Sequence, residues 1–366
     1  SLVAGRWQRA AWSEARSRLK ELLREGPGTL RDDYAGRSRL LKENQMMIRD
    51  HMRWGGDMKF HGENRFPEHF AGRHKNGEYE RMTAEQAAAW DAAYEPKNEQ
   101  FIADMEAGKL SSDDVVRWKY QRYIKDYLRS IRSMDEGIGR ILDALGQAGL
   151  SDNTVVIYSS DQGFYLGEHG WYDKRWMFEE SFQMPFLIRW PGVITPGSES
   201  AAMIQNIDYA PTFLELCGAE IPSDMQGRSL VPLLKGSGAP PDDWRDAVYY
   251  RYYGERTHRV AAHDGIRTGT HKLMYFPDTD EYQLFDLVND PQEMRSVHQD
   301  PEYGEVFGEL RTRLEHLRKT YRAHSAVLPA HRNGEEWWRN RQRQTNQRAG
   351  EHAHDLLFIG DSITQG

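Results

Sequence analysis

Two short runs hold the side chains best suited to chemistry. Asp161 and Gln162 stand just beyond an apolar run, Val155-Val156-Ile157-Tyr158. A carboxylate and a side-chain amide therefore sit where a buried strand is expected to end. In open α/β sheets, ligands bind just outside the carboxyl ends of strands. Both side chains offer hard oxygens, which suit Ca²⁺ or Mg²⁺ better than a soft metal. Twelve residues beyond Asp161 comes Asp173-Lys174-Arg175, two cations with an acid beside them. Oxygen ligands for a divalent ion next to a Lys/Arg clamp describe a site for an anionic ester. A loop of solvated charges is the competing reading of the same residues.

The elements that must position these runs are legible from periodicity. Thr83 to Ala107 reads as helix, with Pro96 as an expected break. Ser111-Ser112-Asp113 cap a long helix running to Leu150, whose apolar face is spaced three and four apart. Gly149 ends it and the strand from Thr154 follows, an order that suits a parallel sheet with covering helices. Pro185 to Trp190 reads as a second buried strand. Asp208 to Cys217 and Ser229 to Leu234 are short helices, and Gly236 to Pro241 is a Gly/Pro-rich linker. Beyond it, Ala247–Tyr253, Asp264–Thr268, Lys272–Phe276 and Tyr282–Leu287 are short strands joined by short turns, the pattern of an antiparallel sheet. A helix from Tyr303 to Tyr321 follows. Residues 1–26 have helical spacing (Trp12, Ala15, Leu19, Leu22, Leu23).

The block from Asn153 to Gly192 resembles the second half of a type I sulfatase, of the alkaline-phosphatase-like superfamily. The matched positions are Asn153 to Asp161, Gly163, Leu166-Gly167-Glu168-His169-Gly170, Lys174-Arg175, Glu179-Glu180-Ser181, Pro185, Arg189 and Pro191-Gly192. The Asp-Gln pair, with Gly-Phe-Tyr-Leu-Gly after it and Asp-Lys-Arg further on, is most similar to bacterial sulfatases related to N-acetylglucosamine-6-sulfatase. The resemblance runs from about Asp32 to about Tyr321. It implies an α/β, alkaline-phosphatase-like sandwich, incomplete here, with a small C-terminal antiparallel sheet. The segments expected are an unassigned helical stretch at 1–26, part of the main α/β domain at 27–235 and the antiparallel subdomain at 242–323.

The activity implied is hydrolysis of sulfate esters of carbohydrates. In this family a formylglycine attacks sulfur, while Ca²⁺ and basic side chains hold the sulfate oxygens. By resemblance, Asp161 and Gln162 are metal ligands and Lys174 is a catalytic residue touching the sulfate. Asp173 and Arg175 hold sugar hydroxyls. His263, in His263-Asp264-Gly265-Ile266-Arg267-Thr268, resembles the substrate-facing histidine of the family's H-Y-G-V-R-T run. The partner implied is a sulfated carbohydrate and the location periplasmic or secreted. Phosphoester or phosphonate hydrolysis within the same superfamily is the alternative reaction. Binding of sulfated sugars without turnover is the alternative outside enzymology.

No Cys or Ser of this sequence stands in a C-x-P-S-R or S-x-P-S-R context, and the paired aspartates of the family's N-terminal metal motif are also unmatched. Asp32-Asp33 aligns with a later stretch. The expectation is thus a fragment without turnover of its own. At the other end, Asp355 to Gly366 reads DLLFIGDSITQG, which resembles the first block of an SGNH (GDSL-type) hydrolase, with 330–366 as the start of that domain and Ser362 as its nucleophile. A serine on a strand-to-helix turn can serve in that role when a base and backbone N–H donors accompany it.

Composition narrows the classes further. The 366 residues carry a net charge of -8, which argues against a general nucleic-acid binder. No apolar run reaches membrane-spanning length. One cysteine, Cys217, excludes an internal disulfide.

Overall fold

The computed structural model describes residues 26–61, 77–236, 239–254 and 258–321. The chain divides into two compact units. One comprises residues up to Glu199 together with Arg245–Arg311, the other Ser200–Trp244 together with the residues from Thr312 onward. Residues 1–25 and the SGNH-like end with Ser362 lie outside the described residues.

In the first unit, helix α1 (Ala84–Glu106) starts at a capping box in which Thr83 accepts from the Gln86 N–H and Gln86 answers. It runs through Pro96 without ending there, contrary to the expected break. The loss of one backbone hydrogen bond is outweighed by packing on the far side. Phe101 is buried and stacks on Trp118 with centroids 4.1 Å apart, and Asn98 donates to the Lys59 carbonyl at 3.2 Å. Helix α2 (Ser112–Gln147) has its own capping box, Ser111 with Asp114. Its first half buries Val116, Tyr120 and Ile124, whereas Ile131, Met134 and Ile141 in its second half are exposed.

Strand β1 (Val156–Ser159) pairs antiparallel with β4 (Phe186–Arg189), in register Val156 with Arg189 and Ser159 with Phe186. The expected parallel arrangement is therefore not the one formed among the described residues. The expected burial of these strands is also corrected: all four residues of β1 are half-buried and Leu187 of β4 is 64% exposed. An apolar run of this kind reads as covered on both faces, but here each strand pairs along one edge. Between them, β2 (Tyr165–Leu166) and β3 (Tyr172–Asp173) form a small antiparallel ladder, Tyr165 opposite Asp173, followed by a single helical turn, α3 (Glu179–Phe182).

The four C-terminal strands are antiparallel as expected: β5 (Ala247–Tyr252), β6 (His263–Thr268), β7 (His271–Phe276) and β8 (Glu281–Asp286), in that order. The loop after β3 packs on them. Trp176, Met177 and Phe178 are fully buried in one cluster with Met274, Phe276 and Phe285. Gly265 makes this approach possible, since a Cβ there would lie 2.3 Å from the Leu273 carbonyl and 2.5 Å from Met177 Sδ.

The second unit contains α4 (Tyr209–Leu216) and α5 (Val231–Lys235). Buried Asp208 accepts from the N–H groups of Gln205 at 2.7 Å and Arg228 at 2.8 Å, which fixes the turns on either side. Helix α6 (Gly304–Thr320) closes the described chain.

Candidate active site

The ladder of β2 on β3 sets Lys174 against the chain that follows Asp161 and Gln162. Because Tyr165 faces Asp173, the preceding Phe164 comes level with Lys174. Lys174 Nζ lies 5.9 Å from the centroid of the Phe164 ring. Asp161 and Gln162 precede that phenylalanine by three and two residues. Asp161 is exposed and Gln162 half-buried, both beyond the end of β1. The turn is fixed locally: Ser160 Oγ donates to the Gln162 carbonyl at 2.8 Å and stands 3.4 Å from Asp161 Oδ1. Gly163 N–H then donates to the Ser181 carbonyl at 2.9 Å. No other residue fits at 163, because a Cβ would lie 2.0 Å from the Glu180 carbonyl oxygen.

Asp173, Lys174 and Arg175 form one charged group. The Asp173 carboxylate pairs with the Arg175 guanidinium, lies 3.7 Å from Lys174 Nζ and 3.4 Å from His258 Nε2. His258 was not visible as a site residue, since nothing local in the sequence links it to Asp173. Lys174 is the most open of the three, its side chain 35% exposed against 16% for Asp173 and 18% for Arg175. Asp173 (φ 75°) and Arg175 (φ 106°) both adopt left-handed backbone, a region unfavourable for such residues by about 1–3 kcal/mol each. Strain of this kind persists only where surroundings over-determine it. Here Tyr250 Oη donates to the Arg175 carbonyl and Tyr165 Oη to the Trp176 carbonyl, each at 2.9 Å. Trp176 itself is completely buried. The sheet thus grips the chain on the far side of Arg175 while Lys174 projects from the strained turn.

His263, which the resemblance places facing substrate, is buried in this structure. It is 1% exposed, with its ring 4.9 Å from that of Trp176 and 5.9 Å from that of Phe276. Its Nδ1 is 2.9 Å from the Ala261 carbonyl, and burial pushes its pKa down to about 4. A neutral imidazole under Trp176 supports the strained turn from below.

Sequence reasoning missed the buried ionic framework behind the site. Lys272, fully buried, lies 2.9 Å from Glu179 Oε1 and 2.7 Å from Glu293 Oε1. Arg267 adds a second cation to Glu179 at 3.0 Å. Burial works against the Glu179 charge, but Lys272 and Arg267 outweigh it and bring the pKa down to about 2. Burial raises Glu293, with Lys272 opposing. Beside them, His169 is buried with Nδ1 2.9 Å from Asp32 and Nε2 3.8 Å from Glu180. Asp32 is also paired with Arg37. Among the described residues Glu180 has no cation at hydrogen-bonding distance, and burial pushes its pKa up to about 7. These partners are separated by up to 256 residues (Arg37 donates to the Glu293 carbonyl at 3.1 Å), so no local pattern announces them.

As metal ligands, Asp161 and Gln162 match a hard cation in chemistry, but they supply only two of the six to eight oxygens that Ca²⁺ takes. Among the described residues, the three ligand side chains found within 4.8 Å of one another are His61, Asp91 and Glu95, not the Asp161 turn.

Two family models match. The general sulfatase model covers residues 58–219, and the model of the N-sulphoglucosamine sulphohydrolase C-terminal region covers 167–320. The N-acetylglucosamine-6-O-sulfatase of Bacteroides thetaiotaomicron is 43% identical over 298 residues, 81% of this chain and 52% of that protein. The arylsulfatase of Clostridium perfringens is 32% identical over 196 residues, 53% of this chain and 38% of that one. A solved structure of a protein with its substrate, D-glucosamine-2-N,6-O-disulfate, superposes with a TM-score of 0.74 at 42% identity, covering 81% of this chain and 60% of that one. A 2-O glycosaminoglycan sulfatase, at 21% identity and a TM-score of 0.53, shares the fold. The chain spans about half the length of the first of these curated relatives and three-fifths of that solved chain. The fold is the α/β, alkaline-phosphatase-like fold of sulfatases, with its small antiparallel sheet in β5–β8. Over residues 58–320, this chain belongs to the sulfatase family.

Proposed function

We propose that this chain forms the substrate-side part of a sulfuric ester hydrolase acting on 6-O-sulfated glucosamine units of a carbohydrate. The observation that carries the reading is the β2–β3 register, which sets Lys174 level with Phe164, the second residue after the Asp161–Gln162 pair. The similarity to a 6-O-sulfatase and to a protein bound to a 6-O-sulfated glucosamine supports the sugar and the position.

In this reading Lys174 meets the sulfate. Sulfate-ester cleavage moves negative charge toward the ester oxygen, and a fixed ammonium stabilises the transition state more than the ground state. The strained turn keeps that ammonium aimed without reorganisation. The Asp173–Arg175 pair, tied to each other and to His258, presents one acceptor edge and one forked donor edge to sugar hydroxyls. Asp161 and Gln162 would hold Ca²⁺ with further oxygens from outside the described residues. When bound, the ion polarises the sulfate oxygens. The nucleophile, a formylglycine, has no candidate in this sequence, and the reading requires it to be joined to this chain. A periplasmic or secreted location belongs to the same reading. Among the described residues no helix is long and apolar enough to cross a membrane.

The test is a substrate panel on a polypeptide that unites this chain with a C/S-x-P-S-R nucleophile. Glucosamine 6-sulfate, a 2-O-sulfated uronate and a phosphonate monoester are compared by kcat/KM. The 6-sulfate should lead by at least ten-fold. A phosphonate preference would transfer the site to the alternative reaction, and binding without turnover of any ester would leave a sugar-sulfate binder.

A further inference from the structure

A second group of cations lies between α1 and α2, a helix that also meets the Lys174 side through Tyr127, stacked on Phe164 at 5.8 Å. Their cleft is about 590 Å³, within the roughly 300–1,000 Å³ range of small-molecule sites. Lys97, Arg117, Arg122, Lys125 and Arg129 line it, and no acidic residue does. Two of these cations are partly neutralised, Arg117 by Asp114 at 3.3 Å and Arg129 by Asp126. Lys97, Arg122 and Lys125 have no carboxylate within ion-pair distance among the described residues. Lys97 and Lys125 are exposed, so their charge reaches solvent.

Arg122 is the unusual member. Its residue is 7% exposed, yet its guanidinium is held by neutral groups only: the Met58 carbonyl at 3.3 Å and the Asn98 amide oxygen at 3.0 Å. It lies 4.7 Å from the Trp118 ring and 5.0 Å from the Tyr94 ring. A buried cation without an ion-paired anion is costly; Asp126 and Glu95, beyond ion-pair distance, offset part of its charge, and a bound anion relieves the rest. Trp118 and Tyr94 are half-buried and line the cleft, so apolar ring faces stand next to the positive charge. Cations that take anionic groups, beside aromatic faces that take the apolar faces of a sugar ring, fit a charged saccharide better than a simple ion.

We infer that the α1–α2 cleft is a second binding site for a sulfated oligosaccharide, lined by residues other than those of the Lys174 turn. It would hold a neighbouring stretch of a polyanionic chain and raise its local concentration at the enzyme, a gain in apparent affinity without new chemistry.

The experiment measures binding of three probes to the 366-residue chain by calorimetry at 0.15 M salt, all in a Lys174→Ala background so that the active-site reading is not being tested. The probes are a heparin octasaccharide, a hyaluronan octasaccharide bearing carboxylates only, and a linear polyphosphate of charge matched to heparin. The heparin octasaccharide should bind at least ten-fold more tightly than either other probe. Lys97→Glu with Lys125→Glu should weaken it at least ten-fold. Arg39→Glu with Arg295→Glu, the same charge change on exposed residues elsewhere, should weaken it less than two-fold. Melting curves of both double variants, expected within a few degrees of the parent, show that the fold survives. Equal losses in the two double variants, equal binding of polyphosphate or hyaluronan, or no heparin binding would overturn the inference.

Discussion

Replacing Lys272 by methionine removes the one cation that touches both Glu179 and Glu293. The two carboxylates do not suffer alike. Glu179 keeps Arg267 at 3.0 Å, whereas Glu293, whose side chain is 1% exposed, keeps only the Glu179 N–H at 2.7 Å. Breaking a buried pair by removing one partner costs about 3–5 kcal/mol, because an uncompensated charge stays behind. Glu293 already has a raised pKa from burial, and without Lys272 it rises further. Its protonation relieves the charge, so the penalty should be largest at high pH and shrink as pH falls toward the unfolded value of 4.5. Urea unfolding followed by fluorescence of buried Trp171 and Trp176 reads this directly. The double change Lys272→Met with Glu293→Gln should recover at least half of the loss, since neither charge is then stranded. A penalty below about 1 kcal/mol at pH 7.5, or a double variant worse than the sum of the singles, refutes the reasoning. The consequence reaches the site through one path. Glu293 holds the N–H that starts α3, and Ser181 within α3 accepts from Gly163 directly behind Asp161 and Gln162.

Gly163→Ala should cost about 1–3 kcal/mol or more, because its methyl would meet the Glu180 carbonyl oxygen at 2.0 Å; a melting temperature equal to the parent's would contradict this packing. Glu180 has a folded pKa near 7, above the unfolded value of 4.5, so the folded state binds more protons between those values and the residue adds stability as pH falls from about 7 to 4.5. His263 acts oppositely: its folded pKa near 4 lies below 6.5, so its contribution is lost as pH falls from about 6.5 to 4. Subtracting the unfolding profile of Glu180→Gln from that of the parent should isolate the first trend, and a flat difference would rule it out. Glu179, at about 2, should sustain stability above 4.5 and release it as pH falls toward 2; Glu179→Gln should flatten that acid limb in the same assay.

Elements set by local rules could be read from the sequence. The helix start at Thr83, the cap at Ser111, the strands of β5–β8 and the helix end at Gly149 each follow from a few neighbouring residues. Features that depend on distant residues could not. Pro96 reads as a break until the packing of Phe101 beyond it is known. The Val155–Tyr158 run reads as doubly covered until its single partner strand is seen. In the site, Asp161, Gln162 and the Asp173–Arg175 run stood out by type and spacing, but the placing of Lys174 level with Phe164 depends on the β2–β3 register. His263 was placed toward substrate by its motif, and only the three-dimensional packing under Trp176 shows that it is buried. The ionic framework of Lys272, Glu179 and Glu293 has no sequence signature at all, because its members meet across 21 to 114 residues.

The central claim concerns Lys174, and one kinetic comparison addresses it most directly. Sulfate release from glucosamine 6-sulfate is measured for the parent and for Lys174→Ala, in a polypeptide that carries the nucleophile together with this chain. Loss of one preorganised group aimed at developing charge lowers kcat by about 10²–10³. A fall of that size, with the fold intact by melting temperature, is the result expected; sulfate release at the parental rate would contradict the account.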